Sequence, residues 1–354
     1  MSVSNPRLAR NNLDLLRLFF ATVVCLVHSY QLSGYQALSV ITTVFSSAVA
    51  VKAFFVISGF LIFMSYEKSD SLSSYLEKRL RRIYPAYFLV VVLCALTFFL
   101  VSALTPSAYF LSAEWWRYLL ANLGFMNFVQ PSLPGVFQGH IESAVNGALW
   151  TIKVEVMFYL SVPVFVLLFR RFSTLPVLLV FYLASVAYAL LMQHLAVVTG
   201  RGIFEELARQ LPGQISYFMA GAGLYYFFPF FERNVRYFAA FAVLVFLVGI
   251  VHPLVLLEPL ALAILVAVFG FFFYTGNFGR YGDFSYGVYI LHFPVVQLLI
   301  HAGAFQERPW LFLLAVVVIT GAGAVLLWNL CEKRFLKRSS HYVEAQKKEP
   351  AAGS

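Results

Sequence analysis

The chain has 354 residues, 61% of them hydrophobic and only 12% charged, with a formal net charge of +9. Soluble domains carry about 25% charged residues, so this composition excludes an ordinary soluble domain and indicates an all-α polytopic membrane protein. The cations lie where membrane topology places them, which argues against nucleic acid as a partner, and Cys25, Cys94 and Cys331 are too scattered for a disulfide framework or a metal motif.

Length and periodicity predict about ten transmembrane helices, at roughly 13–33, 40–65, 84–104, 146–169, 175–198, 212–231, 236–252, 254–275, 284–303 and 309–331. The first apolar run holds Arg17 and His28, and no small-residue cleavage site follows, so it is expected to stay as a span. His252-Pro253 alone separates the seventh and eighth spans, which predicts a tight hairpin. Ten spans place both termini on one side. The termini and even-numbered loops hold eighteen Lys and Arg against four in the odd-numbered loops, so both termini are expected in the cytoplasm. One long external loop, about 105–145, carries Trp115-Trp116, which predicts a short interfacial helix with both indoles at headgroup level. Residues 1–338 form the transmembrane domain in this reading, and 339–354 a disordered cytoplasmic tail.

Ionisable side chains inside spans are costly and mark candidate sites. In the first span Arg17 and His28 are eleven residues apart, which puts them on one face. Arg17 reads as a snorkelling cation paired with Asp14 or as a binding residue. His28 reads as a histidine bonded to a neighbouring helix or as a general base, because imidazole titrates near neutrality. Lys52 falls mid-span and requires a carboxylate, a carbonyl or a water-filled cavity; Ser58-Gly59 beyond it suit close helix packing. Arg79 and Arg82, spaced i and i+3 on the cytoplasmic side, suit anionic lipid or the phosphates of a soluble anionic substrate. In the fourth span Trp150 reads as an interfacial anchor. Glu155, with Tyr159 a turn further on, requires a partner, and Lys153, Lys52 and His28 are candidates. In the ninth span Ser285, Tyr289 and His292 form one polar stripe, with Tyr286 beside it.

Six segments in order resemble the acyltransferase-3 family of integral-membrane O-acyltransferases: Leu13-Asp14-x-x-Arg17 with His28; Phe54-Phe55-Val56-Ile57-Ser58-Gly59-Phe60-Leu61; Arg79-x-x-Arg82-Ile83-Tyr84-Pro85; Trp150-x4-Glu155-x-x-Phe158-Tyr159; Ser285-Tyr286-x-x-Tyr289-x-x-His292; and Glu332-Lys333-Arg334-Phe335. They run from residue 13 to residue 335, essentially the whole chain. Arg334 replaces the family's usual proline, and no hydrolase-like external domain is expected after the last span.

The resemblance implies transfer of an acetyl group from acetyl-CoA, a co-substrate rather than a tightly bound cofactor, to a hydroxyl of a carbohydrate acceptor. Polysaccharide, glycolipid and lipid-linked sugar are the acceptor classes it implies, and the location is the bacterial cytoplasmic membrane. For that reaction the residues suggest His28 and Glu155 as catalytic, with His28 deprotonating the acceptor hydroxyl or taking the acetyl as a transient acyl-histidine and Glu155 orienting the imidazole. Arg17, Arg79 and Arg82 would bind the CoA phosphates, and Lys52, Trp150, Tyr159, Ser285, Tyr286, Tyr289 and His292 would line the substrate site. The alternative from another class is a transporter or flippase of an envelope precursor, which would use the same buried charges. A non-catalytic accessory subunit for envelope assembly is the third reading.

Overall fold

The computed structural model describes residues 6–337 and Tyr342. Among these residues there are helices and turns and no strand. Eleven helices organise the description: α1 (Leu13–Ser33), α2 (Ser47–Glu67), α3 (Leu72–Thr97), α4 (Ala113–Leu123), α5 (Trp150–Phe172), α6 (Thr174–Thr199), α7 (Leu211–Tyr226), α8 (Val235–Gly249), α9 (Glu258–Phe271), α10 (Ser285–His301) and α11 (Pro309–Leu327). All but α4 match a predicted span. Six of them (α1, α2, α3, α5, α6 and α11) are long and apolar enough to cross a membrane, and α8, α9 and α10 are shorter apolar helices. The chain is a multi-pass membrane protein. The tail expected to be disordered lies outside the described residues, apart from Tyr342, which is buried.

Several boundaries differ from the sequence reading. The second span is not continuous: a short helix at Val40–Val44 ends at Phe45, whose backbone is extended, and α2 starts at Ser47. α3 begins twelve residues before the predicted start, so Arg79 and Arg82 lie inside the helix and Pro85 is interior to it. The predicted sixth span divides at Phe227. The α8–α9 connection runs over residues 250–257, a longer loop than the dipeptide hairpin expected. Of the two indoles on α4, Trp116 is 53% exposed but Trp115 is 7% exposed, with Nε1 donating to the Ala95 carbonyl at 2.9 Å. Of the pair expected at headgroup level, only Trp116 has an exposed ring. An amphipathic helix turns adjacent residues about 100° apart, so a pair cannot share one face.

The described residues form two compact units, one of residues 6–16, Val51–Leu76 and Val154–Asn277, the other of Arg17–Ala50, Glu77–Lys153 and 278–337 with Tyr342. In the first unit α2 and α7 approach backbone to backbone. A Cβ at Gly59 would stand 2.0 Å from the Phe218 carbonyl oxygen, and one at Gly221 equally close to that of Val56. Small residues permit this approach where no hydrophobic effect drives helices together. Phe158 stacks on Phe218 at 4.1 Å beside the contact. The Asn12 side chain satisfies the open end of α9, with Nδ2 donating to the Phe269 and Phe273 carbonyls and Oδ1 accepting from Thr275 N–H. In the second unit α10 packs on α11, with the place of a Gly287 Cβ 2.9 Å from Ala324.

Two interior prolines show how strictly backbone polarity is balanced in such a chain. Pro163 in α5 has no N–H to offer the Tyr159 carbonyl, and Pro294 in α10 has none for Ile290. Tyr75 Oη donates to Tyr159 O at 3.0 Å, and Asn146 Nδ2 to Ile290 O at 2.8 Å. The second bond also fastens the loop before α5 onto α10.

Candidate active site

α1 and α10 bring two histidines together. His28 Nδ1 lies 2.9 Å from His292 Nε2. His292 is completely buried, and its Nδ1 faces the Val288 carbonyl at 3.3 Å. A carbonyl only accepts, so Nδ1 of His292 carries the ring's proton and Nε2 its lone pair. His28 must then donate from Nδ1, and its own Nε2 is left as a base. The ring of Phe293 meets His28 edge-on at 5.9 Å. Tyr289, one turn before Phe293, packs against His292 and shares a hydrogen bond with Thr151 Oγ1 at 2.6 Å, both hydroxyls also lying within reach of the Ala148 carbonyl.

The end of this unit at Arg17 is a buried charge cluster. Asp283 accepts from the guanidinium groups of both Arg17 and Arg82, and Glu332 accepts from Arg82 at 2.8 Å. Both carboxylates are buried. The Ser285 hydroxyl and N–H bond to Asp283, and Tyr342 Oη donates to Asp283 at 3.0 Å and accepts from Arg17 at 3.2 Å. Tyr286 Oη reaches the Ile83 carbonyl at 3.1 Å, with Arg82 over its ring. Burial acts to raise the carboxyl of Asp283, but the charges of Arg17 and Arg82 outweigh it and hold the group well below the usual carboxylate range. Glu332 belongs to a turn of π-helix, Trp328–Glu332, which extends α11 and turns this side chain inward.

Of the remaining candidates, Glu155, Tyr159 and Lys52 belong to the first unit, and Lys153, Trp150 and Arg79 to the second. Glu155 accepts from Tyr159 Oη at 2.5 Å and from Ser58 Oγ at 3.3 Å. Lys52 pairs with Glu258 at 2.7 Å, and Tyr217 donates to the same oxygen. Lys153 lies over the ring of Phe128. Trp150 opens α5, and Arg79 lies on α3 three residues before Arg82. The sequence reading thus found Arg17, Arg82, His28, His292, Ser285, Tyr286 and Tyr289, which the fold gathers in one unit. It did not single out Asp283, Glu332, Thr151, Asn146, Glu258 or Tyr342. Asp283 stands just before α10 with Ser285 two residues on, a spacing typical of a helix start; Glu332 stood in a quoted segment without a role.

Residues 10–329 match the family described as "Acyltransferase domain", acyltransferase-3. The chain is 29% identical to a protein of Shigella phage Sf6 named O-acetyl transferase, over 93% of this chain and 97% of the relative. It is 30% identical to "Nodulation protein 10" of Rhizobium leguminosarum bv. viciae, over 94% of this chain and 95% of the other. A peptidoglycan O-acetyltransferase of Listeria monocytogenes, OatA, is 29% identical over 42% of this chain and 26% of its own length. No solved structure matches the chain.

Proposed function

The chain belongs to the acyltransferase-3 family and is an O-acetyltransferase, and on that premise we propose that it carries acetyl from cytoplasmic acetyl-CoA to a hydroxyl of a carbohydrate. The proposed setting is the cytoplasmic membrane of a bacterium, crossed by ten helices with both termini inside. The peptidoglycan in the Listeria relative's name supports a surface polysaccharide as acceptor, and glycolipid and lipid-linked sugar are the other proposed classes.

The observation that carries the mechanism is the contact between His28 and His292. Nε2 of His28 takes the proton of the acceptor hydroxyl as the oxygen attacks the thioester carbonyl. The carbon–sulfur bond breaks, the new ester forms, and the imidazolium returns its proton to the CoA thiolate. His292 fixes the His28 tautomer, the orienting function that the third group has in a catalytic triad. Asp283 and Glu332 balance Arg17 and Arg82, and an incoming phosphate would compete with them for those guanidinium groups. Arg79, on the same face of α3, adds a third cation, and the three remain the proposed phosphate-binding residues. Glu155 is the proposed second catalytic residue on the family pattern, with Tyr159 and Ser58 orienting its carboxylate. Lys52, Trp150, Ser285, Tyr286 and Tyr289 are proposed to shape the substrate site.

Purified protein in lipid nanodiscs, given radiolabelled acetyl-CoA and a carbohydrate acceptor, should form an O-acetyl ester. His28→Ala should lower the rate by about two to four orders of magnitude, the usual worth of a positioned general base. Acetyl transfer by His28→Ala at the wild-type rate would overturn the proposal.

A further inference from the structure

Gln297 lies on α10 and is completely buried. A buried amide persists when each of its groups is paired. Its Nε2 donates to the carbonyls of Glu142 at 2.5 Å and Ala144 at 2.9 Å, and its Oε1 lies 2.9 Å from Nδ1 of His140. The two carbonyls fix which end of the amide is nitrogen. The amide oxygen only accepts, so Nδ1 of His140 carries a proton. The neutral ring then presents a lone pair at Nε2.

The loop holds this ring in a defined place. The imidazole stacks on Phe137, with centroids 4.9 Å apart and planes at 23°, and His301 lies 5.9 Å away. Phe137 is buried and has φ of +55°, between Gly135 at +68° and Gly139 at +91°. A bulky residue in that region is strained, and such strain gathers at sites. Gln297 is one turn beyond Phe293, the residue whose ring meets His28. His140 and His301 therefore stand along α10 from the base, about one or two helical turns further on. The groups bonded to His140 and Gln297 are an amide and two main-chain carbonyls, all neutral, and Glu142 Oε1 accepts from the Ala144 N–H at 3.1 Å.

We propose that His140, oriented by Gln297, binds the acceptor: its Nε2 accepts a hydrogen bond from a ring hydroxyl of a neutral pyranose, next to the hydroxyl presented to His28. His301 borders the same site. The inference rests on the acetyl-transfer reading and assigns the residues that choose the sugar.

The test uses the full chain in nanodiscs, acetyl-CoA as donor, and p-nitrophenyl hexopyranosides with N-acetylglucosamine oligosaccharides as acceptor probes. In His140→Asn the amide N–H takes the place of Nδ1–H towards Gln297, but the Nε2 acceptor is gone. In His140→Gln an amide oxygen reaches the Nε2 position. His140→Asn should raise KM for the acceptor about three- to tenfold, as one lost hydrogen bond would, with KM for acetyl-CoA changing less than about twofold. His140→Gln should recover most of the loss. An unchanged acceptor KM in His140→Asn would reduce His140 to a loop fastener and overturn the proposal. So would turnover of acetyl-CoA with none of the pyranosides acetylated. Absence of any acetyl-CoA turnover would instead remove the acetyl-transfer reading on which the proposal stands.

Discussion

Replacing His292 with Leu tests the relay between α10 and α1 most directly. The substitution keeps an apolar side chain of similar bulk but removes Nε2, the group 2.9 Å from His28 Nδ1. Nδ1–H of His28 then faces a buried apolar wall, and an unmet buried donor costs about 1–3 kcal/mol. If that cost appears wherever His28 must hold its proton on Nδ1, the barrier rises by the same amount, and kcat falls about 5- to 160-fold. His292→Gln, whose amide oxygen can replace Nε2, should recover part of the rate. The assay is single-turnover acetyl transfer with the wild type, His292→Leu, His28→Ala and the double variant. Residues acting as one unit are non-additive, so the double variant should be no slower than His28→Ala alone. A further loss in the double variant, equal to the one His292→Leu shows by itself, would refute the relay and leave His292 as packing.

Three further outcomes follow from buried polar groups. Asp283→Ala leaves Arg17 without this carboxylate and should cost about 3–5 kcal/mol, read as a lower unfolding midpoint in detergent, whereas Glu232→Ala, at the half-exposed pair with Arg7, should cost no more than about 1 kcal/mol. The Asp283 carboxyl is held below its unfolded value of about 3.9, so its contribution is whole above that pH and is lost as pH falls below it; the deficit of Asp283→Ala should stay flat from neutral pH down to roughly pH 5 and shrink in stronger acid. Lys52→Met should destabilise by about 1–3 kcal/mol by leaving Glu258 without its cation, and Lys52→Met with Glu258→Met should regain most of it, since an apolar pair of similar volume is often neutral; a double variant worse than the single one would contradict this account. Asn146→Leu exposes the Ile290 carbonyl that Pro294 leaves open and should cost about 1–3 kcal/mol, visible as faster amide exchange in α10.

The amino-acid sequence by itself determined the solvent, the helical class and most of the helix positions, because backbone groups in lipid must pair within each segment. It also determined that Lys52 needs a carboxylate, a carbonyl or a water-filled cavity and that Glu155 needs a partner, because a charge in an apolar span is too costly alone. Who the partners are was decided only by the tertiary structure. Asp283 is 266 residues from Arg17, and Glu332 is 250 from Arg82. The i−3 neighbour Asp14 was the partner that local spacing offered Arg17, and the fold adds Asp283. His28 bonds to His292 for the same reason: periodicity assigns a side chain to a face of its own helix but not to the helix that face will meet. The continuous spans read at 40–65 and 212–231, and the start of α3, also went to tertiary contacts. A run of apolar residues has no internal signal for where it must turn to pack. Arg17 and His28 were legible as a pair on one helix face. The pairing of Arg17 with Asp283 and the contact of His28 with His292 exist only where α1 meets the segments that begin and form α10.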